Sequence, residues 1–131
     1  MNQTALQQYQ NVGVNSGVTD ADPHQLISML LTGAADRVAA ARGALLREEV
    51  GRKGELISGA IAIIDSLRAS LDHEKGGEIA ENLRALYDYM EQGLVEANLG
   101  ADVTRLEEIS ALLAEVKAGW DAIPTNQRRA G

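Results

Sequence analysis

Four stretches in which apolar residues recur every three or four positions dominate the chain, and each predicts an amphipathic helix. The expected helices span residues about 23–49, 53–72, 77–99 and 103–122. Asp22 suits the N-cap of the first helix, and Asp102 or Thr104 suits that of the fourth. Helices of similar length joined by short loops predict an all-α fold, an antiparallel up-down four-helix bundle. Residues 1–21 are polar and Gly-rich and predict a flexible or short-helical N-terminal arm, and residues 124–131 predict a flexible C-terminal tail.

The third segment carries more apolar surface than a single core requires. At about 100° per residue, one face predicts a core stripe made of Ile79, Leu83, Leu86, Met90, Leu94 and Ala97. Tyr87 and Tyr89 lie on opposite flanks of this stripe, because residues two apart cannot share a helix face. Asn98 shares the flank of Tyr87, whereas Asn82 and Gly93 share that of Tyr89. An aromatic ring and an amide beside a small residue predict a docking groove at one edge.

Composition favours a protein partner. The net charge of −7 disfavours nucleic acid and anionic membranes, because both require a positively charged surface, and leaves a basic or largely apolar partner. The absence of cysteine excludes disulfides, thiol catalysis and cysteine-ligated zinc. The N-terminus lacks a signal-peptide pattern and no apolar run reaches the length of a membrane span, so we expect a cytoplasmic protein.

No motif indicates catalysis, a metal ion or a cofactor, and we expect a protein that is not an enzyme. His24 and His73 lack the preceding glutamate that a di-iron site in a helical bundle needs. One alternative is a histidine phosphotransfer bundle, although the residues after His73 are out of step with its helical face. Another is a general helical adaptor or a self-associating bundle, because the fourth segment has the 3-4 apolar spacing of a coiled coil.

The order of these features resembles the FliS family, the flagellin-specific export chaperones of bacterial flagella. The most specific match runs from Gly76-Gly77-Glu78-Ile79-Ala80-Glu81-Asn82-Leu83 through Leu86-Tyr87-Asp88-Tyr89-Met90 to Glu96-Ala97-Asn98. The opening of the first helix at residues 22–26, the segment 61–71, an early tyrosine and the late Trp120 extend the resemblance over most of the chain.

The resemblance implies a cytoplasmic chaperone without a cofactor. Such proteins bind the disordered C-terminal region of flagellin, prevent its premature polymerisation and help deliver it to the flagellar type III export gate. Flagellin, bound one to one, and a component of the export gate are therefore the expected partners, with other flagellar regulators as further candidates. The free protein is expected to be a monomer or a weak dimer.

The resemblance also implies a binding site, and the N-terminal arm is expected to occupy part of it until flagellin displaces the arm. The expected flagellin-binding residues are Tyr9, Leu26, Leu30, Ile61, Ile64, Asn82, Tyr87, Tyr89, Gly93 and Asn98. Among the four aliphatic residues of this set we expect at least half to be core residues, and we expect one of Tyr87 and Tyr89 to pack at the edge of the core.

Overall fold

The computed structural model describes residues 22–123, which form four helices packed in a ring. The helices are α1 (Pro23–Leu46), α2 (Val50–Ala69), α3 (His73–Gly100) and α4 (Val103–Asp121). Each helix packs against the next, and α4 returns to pack against α1. Within these residues the structure contains no strand, and the predicted antiparallel four-helix bundle is confirmed. The expected N-terminal arm and C-terminal tail lie outside the described residues.

Aspartate side chains cap the N-termini of three of the helices. Asp22 accepts a hydrogen bond from the Gln25 main-chain N–H (2.8 Å) at the start of α1. Asp102 caps α4 in the same way, and Asp72 caps α3. Each carboxylate satisfies an N–H group that the first turn of a helix leaves without an acceptor. Asp72 and Asp102 thereby start α3 and α4 after connections of three and two residues, whereas Glu49 before α2 makes no side-chain capping hydrogen bond.

Two helix boundaries near the first turn differ from the expected ones. The first helix ends at Leu46, because Glu48 adopts a left-handed φ of 60° that an α-helix cannot continue. The second helix begins at Val50, three residues before the expected start. It ends at Ala69, three residues before the expected end.

The third helix also differs at both ends. It begins at His73, one turn before the expected start, and it is broken at Gly77 (φ 51°, ψ −120°). This backbone conformation strongly favours glycine, which has no Cβ to clash. The helix ends at Gly100, one residue after the expected end, and Ala101 then adopts the left-handed conformation.

The core runs along the centre of the ring and contains residues from all four helices. Its largest fully buried side chains are Leu30, Leu31, Val38, Ile57, Ile64, Leu67, Met90, Leu94, Leu106, Ile109 and Leu113. Alanines at positions 34, 41, 60 and 97 are also fully buried, and their small side chains allow the helices to approach closely. The core is therefore mainly aliphatic, as the absence of Phe favours, and Tyr87 adds an aromatic ring to it.

The core stripe predicted along α3 is wrong at its N-terminal end. Ile79 is 71% exposed and Leu83 is half-buried, whereas Met90 is fully buried. Ala80, on the flank of α3 that also carries Tyr87, is 3% exposed, so the N-terminal half of α3 is buried on that flank and exposed at Ile79. Near the end of α4, the Trp120 ring stacks on His24 of α1.

Candidate partner-binding site

Two contacts show how α3 and α4 lie against each other. The Tyr89 hydroxyl donates a hydrogen bond to Glu108 Oε2 at 2.7 Å. One turn further along α3, a Cβ on Gly93 would lie 3.0 Å from Ile109 Cδ1, so this glycine permits a close approach of the two helices. Because the helices are antiparallel, positions before Tyr89 on α3 lie alongside positions after Ile109 on α4.

This register creates an apolar surface that we call the α3–α4 seam, made of Ile79, Leu83, Leu86, Leu112 and Val116. The last four are half-buried and pack against the core with one side. Ile79 extends the strip beyond the point where the core ends. Contiguous exposed apolar surface with polar borders marks an interaction site more often than scattered apolar residues do. The seam is therefore the best candidate site in the described part of the chain.

Three residues expected in the site lie on the α4 side of α3. Asn82 is exposed between the levels of Ile79 and Leu86, at the edge of the α3–α4 seam. Tyr89 is 40% exposed just beyond Leu86. Gly93 is buried where α3 and α4 touch. The structure thus brings Asn82, Tyr89 and Gly93 together along one flank, as the helical spacing predicted.

Arg105 closes the α3–α4 seam beyond Tyr89. Its guanidinium donates hydrogen bonds to Glu96 Oε1 (2.5 Å), to the Tyr89 hydroxyl (3.2 Å) and to Glu108 Oε1 (3.4 Å). It also lies 5.3 Å from the centre of the Tyr89 ring, a cation–π distance. The hydrogen bond to Glu108 raises the pKa of the Tyr89 phenol. Sequence reasoning missed Arg105, because Tyr89 and Glu96 lie on α3, and spacing along α4 reveals only Glu108, three residues later on the same helix.

The other flank of α3 faces α2, and the structure separates it from the seam. Tyr87 is 3% exposed, and its burial raises the pKa of the phenol to about 12, so the side chain stays protonated at neutral pH. Asn98 is half-buried, and its main-chain carbonyl accepts a hydrogen bond from Lys53 Nζ (3.0 Å). The two tyrosines therefore do lie on opposite flanks, and Tyr87 is the one that belongs to the core.

The remaining expected site residues are distributed over the bundle. Leu30 and Ile64 are core residues, 1% and 0% exposed. Leu26 is half-buried near the start of α1, and Ile61 is half-buried against the core from α2. Tyr9 lies outside the described residues. Two of the four aliphatic residues are thus fully buried, which agrees with the expectation that at least half of them are core.

A charged cluster joins α2 to α3 on the side away from the seam. Arg68 donates hydrogen bonds to Asp88 (2.6 Å) and to Asp65, and Glu91 Oε2 lies 3.9 Å from the same guanidinium. Among residues 22–123 this Glu91 oxygen, although buried, has no hydrogen-bond partner. Desolvation raises the pKa of Glu91. Contacts between an arginine and carboxylates therefore hold α3 on both flanks, from Arg68 of α2 and from Arg105 of α4.

The described part of the chain shows neither a metal-binding cluster nor a histidine placed as in a phosphotransfer bundle. Residues 22–123 contain no group of three or more His, Cys, Asp or Glu side chains that could hold a metal ion. His73 is the first residue of α3 and lies 3.2 Å from Glu81, instead of projecting from mid-helix as a phosphotransfer histidine does. None of the helices within these residues has both the length and the hydropathy that a membrane crossing requires.

Known proteins with similar sequences agree on one family. The family model of the flagellar protein FliS matches residues 5–127. The flagellar secretion chaperone FliSB of Pseudomonas aeruginosa is 54% identical, over 91% of this chain and 94% of its own. The flagellar secretion chaperone FliS of Salmonella typhimurium is 47% identical over 92% and 90% of the two chains, and that of Vibrio cholerae is 38% identical over 92% and 88%. These matches span nearly the whole sequence, and the chain therefore belongs to the FliS family of flagellar secretion chaperones, which are not enzymes.

Proposed function

We propose that this protein is a cytoplasmic chaperone that binds the disordered C-terminal region of flagellin, one to one, and keeps flagellin from polymerising before export. The observation that carries this proposal is the α3–α4 seam, where Ile79 is 71% exposed at the end of an apolar strip whose other members are half-buried. An apolar strip between two helices suits an amphipathic segment that becomes helical when it binds. A disordered ligand needs such a strip, because apolar contact must offset the entropy lost when the ligand becomes ordered.

The dimensions of the α3–α4 seam support this mode of binding. From Ile79 to Leu86 the axis of α3 advances about 10 Å at 1.5 Å per residue, which matches roughly two turns of a partner helix. Asn82 at the edge carries an amide that can donate to and accept from main-chain groups of an extended ligand. Tyr89 adds a partly exposed ring at the end of the strip. We assign the direct contacts to Ile79, Asn82 and Tyr89.

The other expected site residues have different roles in this proposal. Leu26, Ile61 and Asn98 are half-buried on other faces, which suits a long ligand that wraps around the bundle. The buried residues hold the helices in place for the contact residues: Leu30, Ile64, Tyr87 and Gly93. Tyr9 and the rest of the N-terminal arm lie outside the described residues, and in this proposal the arm competes with flagellin for the site.

The bound flagellin is then handed to a component of the flagellar type III export gate. The family assignment supports this step, because the relatives carry the name of secretion chaperones. The net charge of −7 favours solubility of the loaded complex. Other flagellar regulators are candidate partners of the same surface.

Calorimetric titration with cognate flagellin, full-length and truncated at its C-terminus, tests the proposal. We expect one-to-one binding with a negative heat-capacity change, and loss of binding on truncation. Ile79→Asn is expected to weaken binding at least about tenfold, because it replaces the most exposed apolar side chain of the α3–α4 seam. Leu99→Asn is the matched control, because Leu99 is 84% exposed at the opposite end of the bundle.

Three results would contradict the proposal. These are no binding to full-length flagellin, equal binding of the truncated form, or equal effects of Ile79→Asn and Leu99→Asn. Light scattering over a concentration series adds a separate criterion. A dimer that ignores flagellin would favour the self-associating alternative, and a monomer that becomes a one-to-one complex supports the chaperone.

A further inference from the structure

We infer that Arg105 is a positioning residue of the proposed site, which holds the Tyr89 ring across the end of the α3–α4 seam. The consequence for flagellin binding rests on the proposed function, whereas the contact between the two side chains does not. Arg105 belongs to the first turns of α4 and Tyr89 to the middle of α3, so the contact also joins two helices.

Three separate contacts hold the Tyr89 side chain. Its hydroxyl donates to Glu108 (2.7 Å) and accepts from Arg105 (3.2 Å), and the guanidinium lies 5.3 Å from the centre of the ring. A tyrosine that is 40% exposed would otherwise be able to change rotamer with little loss of contact. Contacts at the hydroxyl and over the face leave one orientation of the ring.

Arg105 is itself held from the other side. Its second terminal nitrogen donates to Glu96 Oε1 (2.5 Å), so the planar guanidinium spans Glu96 and the pair of Tyr89 and Glu108. The Arg105 side chain is only 28% exposed, less than either carboxylate partner. A lysine has a single ammonium group and lacks the planar fork that reaches both sides.

The position of Tyr89 along α3 explains how its contact with Arg105 can affect the binding of a partner. Before Tyr89 the α3–α4 seam is open, and Leu86 is half-buried. After it Gly93 meets Ile109 directly, and no space remains between the helices. Tyr89 therefore stands where the open part of the seam ends. A fixed ring at this place limits how far an apolar partner segment extends along α3.

The charges around Arg105 indicate that it orients Tyr89 and does not attract an acidic partner. Glu96 and Glu108 together outweigh the single positive charge of the guanidinium. An acidic partner would gain little from a cation already held by two carboxylates. Arg105 thus acts through the orientation of Tyr89 and not as a free positive charge.

The first test uses the free full-length protein labelled on tyrosine rings for NMR. In Arg105→Gln we expect the Tyr89 ring signal to move and to average over several orientations, with partial recovery in Arg105→Lys. Arg42→Gln is the matched control, because Arg42 forms a similar ion pair with Glu107 (2.8 Å) between α1 and α4. An unchanged Tyr89 signal in Arg105→Gln would overturn the inference.

The second test measures affinity for the flagellin C-terminal region in a double-mutant cycle. Arg105→Gln is expected to weaken binding about 3- to 10-fold in the wild-type background, the range of a partly buried cation–π contact. In a Tyr89→Ala background the same change should have no effect, because the ring that Arg105 positions is gone. Thermal unfolding of each variant shows whether the bundle remains folded.

The two tests separate the inference from the proposed function. An equal loss of affinity in both backgrounds would mean that Arg105 is only a tie between α3 and α4. If wild-type protein binds no flagellin, the proposed function fails, and the NMR comparison still decides whether Arg105 positions Tyr89.

Discussion

His24 and Trp120, 96 residues apart in the chain, form reciprocal hydrogen bonds. His24 Nε2 donates to the Trp120 main-chain carbonyl (2.6 Å), and Trp120 Nε1 donates to the His24 carbonyl (2.9 Å). The two rings stack with their centroids 4.6 Å apart and their planes within 9°. The pair fastens the start of α1 to the end of α4 and so closes the ring of helices.

Trp120→Phe is expected to lower the free energy of unfolding by about 1 kcal/mol, because it keeps an aromatic ring and removes the N–H donor. Trp120→Ala should cost more, about 2–3 kcal/mol, because the stacked surface is lost as well. Urea unfolding followed by circular dichroism measures both. Equal values for the two variants would mean that the hydrogen bond, and not the stacking, accounts for the whole contribution.

Lys53→Met is expected to destabilise the end of α3. Lys53 is 6% exposed, and its ammonium group donates to the Asn98 carbonyl (3.0 Å). The last turn of α3 contains no basic residue, so α2 supplies the positive charge that favours a helix C-terminus. We expect a loss of about 1.5–3 kcal/mol, typical of a hydrogen bond from a charged group.

Amide hydrogen exchange locates the effect of Lys53→Met. Exchange should accelerate in residues 97–100 more than elsewhere in α3. Lys75→Met is the control, because Lys75 is exposed near the opposite end of the same helix. A similar loss of stability in the two variants would show that the contact with Asn98 contributes nothing specific.

Gly93→Ala and Gly119→Ala are expected to change the free energy of unfolding by different amounts or in opposite directions. Alanine favours a helix over glycine by about 1 kcal/mol, so Gly119→Ala should stabilise α4, since no atom of the described neighbours lies within 4 Å of the new Cβ. At Gly93 the Cβ would lie 3.0 Å from Ile109 Cδ1, within a packed core. We expect Gly93→Ala to be less stable than Gly119→Ala by about 1–3 kcal/mol. Equal stabilities would show that α3 and α4 separate freely at this point.

Glu91→Gln is expected to stabilise the protein at pH 7. Desolvation raises the pKa of Glu91 in the folded state, although Arg68 opposes this shift and Asp65 and Asp88 reinforce it. A raised folded-state pKa means that the protonated form is favoured on folding. The stability that protonated Glu91 contributes is therefore fully present below the pKa of the unfolded state. It is lost as the pH rises through the pKa of the folded state.

The pH dependence of the difference between wild type and Glu91→Gln isolates this group from other carboxylates. The variant should be more stable at neutral pH, and the difference should vanish as the pH falls towards the pKa of an ordinary glutamate. Unfolding free energies measured at several pH values test this. A less stable variant at pH 7 would mean that attraction to Arg68 outweighs desolvation.

The sequence alone determined the features that depend on one helix at a time. Spacing every three or four residues predicted four helices, and the capping roles of Asp22 and Asp102 follow from residue type and position. The placement of Tyr87 and Tyr89 on opposite flanks needs only the angle of 100° per residue. These properties are local, so the tertiary structure could not change them.

Only the tertiary structure decided which surfaces remain open. The periodicity of α3 gave Ile79 and Ala97 the same direction, yet one is 71% exposed and the other fully buried. Periodicity gives the direction in which a side chain points around the axis of its own helix. It does not show how far along that helix the neighbouring helices remain in contact with it. The burial of Tyr87, the contact of Lys53 with Asn98 and the Arg105 contacts at Tyr89 all depend on the register between helices. That register is a relation between distant parts of the chain, and it arises only when the four helices pack together.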